Sequence, residues 1–109
     1  MGKLDSVGEI IASRTLLLLR DQGPPSEVLV LLGKPVQTPG ETDYYCPYQI
    51  KGAGDENVTA IVGIDRFQAI QLAISMLGVE LDVLNKSCGG KLRWAHDDDG
   101  ELGFPLHSS

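Results

Sequence analysis

Four side chains are of the types that bind zinc: Cys46, Cys88, His96 and His107. Zinc sites in small domains usually take two ligands from one short turn, in pairs such as C-x-x-C or H-x-x-x-H. None of these four residues falls into such a pair. We therefore interpret them as buried thiols and solvent-facing histidines, and we predict no metal site.

The acidic run 97–100, of sequence DDDG, is similar to the middle of a calcium-binding loop. If Gly100 is aligned with the invariant glycine of that loop, Ala95 and Leu106 fall where the first and last carboxylate ligands are required. Neither side chain can bind a cation. The run is better interpreted as an acidic surface turn.

Nucleophilic catalysis requires a base beside a serine, threonine or cysteine. Cys46 has no histidine near it in the sequence, and G-x-S-x-G, G-x-x-x-x-G-K-[ST] and G-x-G-x-x-G are all absent. The G-A-G segment 52–54 does not open a helix, so it predicts a hairpin turn rather than a phosphate-binding loop. We predict no catalytic and no cofactor-binding residues.

Two further groups of side chains could contact a partner. Arg66 and Glu80 are charges within an apolar helical arc, and we interpret them as snorkelling heads or an intramolecular ion pair rather than ligand-binding groups. Aromatic and large apolar residues are frequent at interfaces, although they pack in cores more often. On that basis the candidate interaction surface consists of Tyr44, Tyr45, Tyr48, Trp94, Leu72 and Met76.

The stretch 58–84 predicts a strand that leads into one long helix. Asp65 can cap the helix N-terminus, Gln68 can reach back to it, and the helical periodicity continues to Asn85. A polar stripe at helical spacing contains Gln68, Gln71, Ser75, Gly78 and Asp82. The apolar arc spans roughly 200°, which predicts cover on more than one side. Its main face comprises Phe67, Ile70, Ala73, Ile74, Leu77, Leu81 and Leu84.

Strands are predicted over 10–20, 27–32, 44–51, 58–64 and 92–96. The first two form a hairpin across the turn 21–26, and both are apolar at consecutive positions, which predicts burial of both faces. The run 44–51 alternates, with Cys46 on the same face as Tyr44. Because Pro47 lacks an N–H donor, we expect that strand to be an edge strand or to be bulged there.

These elements predict an α+β fold: a mainly antiparallel sheet of four to five strands with one long helix packed across one face, in the order β-β-β-β-α-β. The alternative is a split arrangement in which the C-terminal strand pairs elsewhere. A chain of 109 residues forms one domain, 1–109, in which we expect 1–8 and 107–109 to be flexible.

Composition narrows the class of partner. A net charge of −6 argues against nucleic acid and against an anionic membrane surface. The N-terminal leucine run is too short for a signal peptide or a membrane span. Two cysteines without a secretory context indicate reduced thiols and a cytoplasmic location.

The segments IASRTL, CPYQIKG, GIDRFQAIQLA, LRW and GFP occur in this order along the chain. Together they resemble a family of small bacterial proteins classed as a domain of unknown function. The resemblance covers most of the chain. It implies a one-domain cytoplasmic bacterial protein, and it brings no catalytic residues to transfer.

We carry three hypotheses for function. The first is a non-enzymatic, self-associating interaction or regulatory protein, the second a domain that binds a small molecule between helix and sheet, and the third an enzyme. The apolar arc exceeds what one sheet can cover, so we expect a homodimer. Its interface would be the outer face of the first hairpin or the helix flank that bears Leu72, Met76 and Val83.

Overall fold

A computed structural model describes residues 6–94 and 102–104 together with the backbone of residues 3–4. Within these residues the chain forms seven strands and one helix. The strands are β1 (Lys3–Leu4), β2 (Ile10–Leu18), β3 (Ser26–Gly33), β4 (Val36–Gln37), β5 (Tyr44–Lys51), β6 (Val58–Gly63) and β7 (Leu92–Trp94), and the helix α1 (Arg66–Ser87) lies between β6 and β7.

The strands form one antiparallel sheet in the order β1-β6-β5-β3-β2-β7, and β4 pairs with β5 beside that path. Helix α1 packs on β5 and β6. The predicted α+β class is therefore confirmed, as are the chain order of the longer elements and the return of the C-terminal strand to the same sheet. Strands β1 and β4 were not predicted from the sequence, because two residues each are too few to show an alternating pattern.

The main core lies between α1 and one face of the sheet. The register places the even-numbered residues of β3 and β5 on this face, and those of β2 from Ala12 onward, after a bulge that follows Ile10. Leu16 thus lies opposite Val28, and Val30 opposite Ile50. The most deeply buried residues of this core are Leu16, Val28, Cys46, Ala69, Ala73, Leu77, Leu81 and Leu92.

A smaller cluster covers part of the opposite face. Val7, which lies between β1 and β2, packs there with Leu31 and Val58. Burial of both faces is thus confirmed for most of β3 but is wrong for the start of β2, because nothing in the described chain covers Ile10 and Ile11. Of the terminal segments expected to be flexible, 1–8 contributes β1 and the buried Val7, and 107–109 lies outside the described residues.

The expectation that Pro47 marks an edge or bulged strand is wrong, because β5 has partners on both sides and an unbroken register with β6. On the other side of β5, β3 pairs with residues 48–51 and β4 pairs with Tyr44 and Tyr45. Pro47 lies in the interval between these two pairings. Its missing N–H therefore interrupts neither the pairing with β3 nor the pairing with β4.

The helix begins as predicted. The Asp65 carboxylate accepts a hydrogen bond from the Gln68 N–H at 2.8 Å, and Gln68 Oε1 accepts one from the Ile64 N–H at 2.8 Å. The side chain of Gln68 thus reaches one residue further back than in a standard capping box. The helix ends two residues beyond Asn85, whose side chain accepts a hydrogen bond from the N–H of Leu92 and ties the helix to β7.

The rotation of the helix differs from the predicted one. Phe67, placed on the main apolar face, is 79% exposed, whereas Ala69 and Gly78 are buried. The buried face thus runs through Ala69, Ala73, Leu77 and Leu81, and the described residues leave Leu72, Val79 and Val83 exposed on another side. An apolar arc of roughly 200° is wide enough for several different sides of the helix to pack on the sheet. The contacts with the sheet, and not the sequence pattern, determine which side is buried.

The length and composition of α1 would by themselves allow it to cross a membrane. The core helix of a soluble protein satisfies the same test. In α1 the face that contains Ala73 and Leu77 is buried against the sheet. Packing on the sheet therefore accounts for one side of this apolar helix.

A glycine sets the distance between helix and sheet. A Cβ atom at Gly63, the last residue of β6, would lie 2.4 Å from the backbone nitrogen of Ala69 and 2.8 Å from its Cα atom. Both contacts are with backbone, which a side-chain rotation cannot relieve. Only glycine at residue 63 permits this approach.

We expect Asp65→Ala to lower the free energy of unfolding by about 0.5–2 kcal/mol, because it removes the acceptor for the Gln68 N–H. Denaturant unfolding measures the change. Asp65→Asn keeps a capping oxygen and should stay close to wild type. Equal losses in both variants would show that the cap is not what Asp65 contributes.

We expect Gly63→Ala to lower the free energy of unfolding by about 2–3 kcal/mol, the upper part of the range for overpacking, because the new methyl group meets the backbone of Ala69. Denaturant unfolding of the purified variant tests this. A change below about 0.5 kcal/mol would contradict direct backbone contact between β6 and α1.

Candidate functional site

A cavity of about 320 Å³ lies between the C-terminal half of α1 and the hairpin that joins β5 to β6. We call it the Tyr48–Glu80 pocket, after the two side chains that meet in its wall. Its lining combines aliphatic side chains with carboxylates, and the described residues contribute no lysine, arginine or histidine to it. The lining residues are Tyr48, Ile50, Ala53, Gly54, Asp55, Glu56, Asn57, Val79, Glu80, Val83, Leu84 and Ser87.

Tyr48 and Glu80 form the polar centre of this pocket. Tyr48 points from β5 toward the helix and is only 3% exposed, and its hydroxyl donates a hydrogen bond to Glu80 Oε2. Burial raises the pKa of Tyr48 well above its ordinary range, and the carboxylate of Glu80 raises it further, against a smaller opposite effect of Thr59. Tyr48 therefore keeps its proton at physiological pH and donates it only as a hydrogen bond to Glu80.

The hairpin turn between β5 and β6 forms the opposite wall. Glu56 has a φ of 60°, its carboxylate accepts a hydrogen bond from the Gly52 N–H, and its carbonyl accepts one from Gln49. Asp55 accepts a hydrogen bond from the Asn57 N–H at 3.1 Å. These bonds hold the carboxylates of the turn at the pocket, and the prediction of a hairpin turn at 52–54 is confirmed.

Chemically, the Tyr48–Glu80 pocket is an acceptor site. The described residues give Glu80 Oε1 no hydrogen bond, so this oxygen remains able to accept one from a bound group. Glu80 and Arg66, which we considered as an intramolecular pair, have different partners, because the guanidinium of Arg66 lies 4.6 Å above the ring of Tyr44. The spacing of residues along the helix could not reveal either contact.

The residues of the candidate interaction surface lie apart. Tyr44 and Tyr48 point to the helix face of β5 and the half-buried Tyr45 points to the other face. Trp94 lies on β7, at the far edge of the sheet. The helical members, Leu72 and Met76, share one flank of α1, where Leu72 is exposed and Met76 half-buried.

A cluster around Arg14 was not anticipated from the sequence. The Arg14 guanidinium lies 4.0 Å from the ring centroid of Trp94 and 4.8 Å from that of Phe104, and it donates to the carbonyl of Leu102 at 3.0 Å. Gly103, with a φ of +81°, lies directly against Arg14 and Trp94. These residues come from distant parts of the chain, so no local pattern could have connected them.

The cysteines are unpaired, as predicted. Cys46 is fully buried, its thiol donates to the Gly33 carbonyl at 3.4 Å, and burial raises its pKa to about 11. Cys88 caps the C-terminus of α1. Among the described residues no group of three or more His, Cys, Asp or Glu side chains could hold a metal ion. The run 97–100 and both histidines lie outside them.

Comparison with known proteins identifies one family. A family model described as "Domain of unknown function (DUF6968)" matches residues 12–106, which confirms the resemblance to such a domain. No curated protein and no solved structure matches the chain. The features that bear on function are therefore the pocket and the surfaces of the fold.

We expect Cys46 to react with a thiol reagent far more slowly than Cys88 at pH 8. A pKa of about 11, against 9.0 for an unperturbed thiol, lowers the thiolate fraction about a hundredfold, and burial lowers access further. Labelling of Cys88→Ser isolates Cys46, and labelling of Cys46→Ser isolates Cys88. Equal native rates in the two variants would contradict the burial of Cys46.

Proposed function

The chain belongs to the DUF6968 family, matched over residues 12–106, and we propose that it acts as a homodimeric, non-enzymatic interaction protein. The observation that carries this proposal is an apolar stripe on α1, exposed except at the half-buried Met76, which we call the outer seam. It consists of Leu72, Met76, Val79 and Val83.

The spacing of the outer seam supports pairing with another helix. Its residues follow one another at steps of four, three and four, the spacing that places side chains along the contact line of two packed helices. At 1.5 Å per residue the seam is about 16 Å long. A second copy of α1 presents the same stripe, so an antiparallel pair related by a two-fold axis would cover both.

The exposure of the outer seam supports the same conclusion. Leu72, Val79 and Val83 are 37%, 43% and 62% exposed, although each belongs to a helix whose other side is packed on a sheet. Contiguous exposed apolar side chains usually mark an association surface. The border of the seam is polar, since Lys86 and Asp82 form an ion pair at 3.0 Å beside it. An apolar centre with a polar rim is the usual anatomy of an interface.

We further propose that the protein works in a bacterial cytoplasm. Unpaired Cys46 and Cys88 are compatible with a reducing compartment.

A second candidate function, binding of a small molecule between helix and sheet, is favoured by the Tyr48–Glu80 pocket. The pocket combines aliphatic walls with a few converging polar groups, as ligand sites commonly do. Val79 and Val83 belong to both the pocket lining and the outer seam, so this function is tested on the wild type and on the monomeric variant alike.

We expect light scattering after size exclusion, at about 100 μM, to give twice the 11.7 kDa mass of one chain. Leu72→Glu should give the monomer mass, because it places a charge in the apolar centre of the interface. Phe67→Glu, a change at a more exposed apolar residue outside the seam, should leave the dimer intact.

A monomeric wild type would overturn the proposal. A dimer that survives Leu72→Glu but is lost in Ile11→Glu would move the interface to the outer face of the first hairpin, where Ile11 is exposed.

A further inference from the structure

We propose that the Tyr48–Glu80 pocket binds a small organic cation, an apolar amine whose ammonium group pairs with Glu80. This inference rests on the second candidate function, small-molecule binding, and names the chemical class of the ligand. All of the lining residues belong to one chain, although two of them, Val79 and Val83, are also part of the outer seam.

The cavity sets the size and shape of the ligand. A volume of about 320 Å³ lies at the lower end of the range for ligand pockets and corresponds to roughly ten non-hydrogen atoms, at the volume of about 30 Å³ that one water takes up in the liquid. Ile50, Val79, Val83 and Leu84 supply aliphatic walls. A single ring or a short branched chain fits such walls.

The carboxylate of Glu80 sets the polar end of the ligand. Tyr48 occupies Oε2 and is itself held in the core, so Glu80 is oriented before any ligand arrives. Oε1, which has no partner among the described groups, can accept from an ammonium group, whose three N–H donors suit carboxylate oxygens. An acceptor already oriented by its neighbour lowers the ordering cost of binding.

The charge of the lining residues determines the charge that a ligand should carry. Asp55 and Glu56 line the same pocket as Glu80, and none of the described residues that line it is positively charged. Lys86, the lysine of α1, pairs with Asp82 and is not among the lining residues. A carboxylate ligand would meet only like charges, and a neutral ligand would leave the carboxylates uncompensated.

The test compares three probes of nearly equal size and different charge: 2-phenylethylammonium, 2-phenylethanol and phenylacetate. Each is titrated into the isotopically labelled protein, and the amide shifts of residues 48–59 and 79–87 are followed by NMR. We expect the ammonium probe to bind at least about tenfold more tightly than the alcohol, the factor that one hydrogen bond to a charged group commonly contributes. We expect no pocket shifts with phenylacetate.

Glu80→Gln retains the size of the side chain and an acceptor for Tyr48 but removes the charge. It should weaken ammonium binding at least about tenfold and leave binding of the alcohol unchanged. The matched control is Glu41→Gln, which removes an exposed carboxylate outside the pocket and should change neither. If Glu80→Gln fails to fold, the comparison of the three probes on the wild-type protein still decides.

Two outcomes overturn the inference in different ways. Equal binding of all three probes in the pocket would overturn the choice of a cation but would leave small-molecule binding standing. The absence of pocket shifts with every probe at millimolar concentration would overturn both. The Leu72→Glu monomer repeats the titration and should give the same preference, because the pocket lies within one chain.

Discussion

The backbone contact between β6 and α1 at Gly63 determines what the helix presents on each of its sides. With Gly63 against Ala69, the rotation of α1 is set at its first turn. Glu80 follows eleven residues later, close to three helical turns and about 16 Å along the axis, so it faces the sheet again and meets Tyr48. The same rotation turns the outer seam away from the sheet. The pocket and the seam are therefore two results of one constraint.

The cap and the strands could be predicted from the sequence because their signals are local. Asp65 with Gln68 identified the helix start, and alternation identified β5 over its full length. The facing direction of the helix was not predictable, since an apolar arc of roughly 200° is compatible with several rotations. Gly78, assigned to the polar stripe, is buried for this reason. The Tyr48–Glu80 contact depends on that rotation and on sheet pairing, neither of which is a property of a short segment.

The Arg14 cluster brings together, in the folded chain, three of the segments that carried the family resemblance. IASRTL supplies Arg14, LRW supplies Trp94, and GFP supplies Gly103 and Phe104. In the structure the Arg14 guanidinium lies against the rings of Trp94 and Phe104 and donates a hydrogen bond to the neighbouring carbonyl of Leu102. Stacking of this kind uses the planar face of arginine, which lysine does not have. Three short, individually weak segments thus form one contact that holds residues 102–104 on the sheet.

The pairing of β2 with β7 affects the order in which the protein can be completed during synthesis. Leu16 pairs with Trp94, 78 residues later, so at about 5–20 residues per second the outer edge of β2 waits about 4–16 s for its partner. β3 can join the other edge early, because it follows after one turn. Until β7 arrives, the leucines of residues 16–19 form an uncharged strand edge without proline, a sequence type that favours intermolecular strand pairing. The nascent chain is therefore most prone to aggregation in the interval before Trp94 is synthesised.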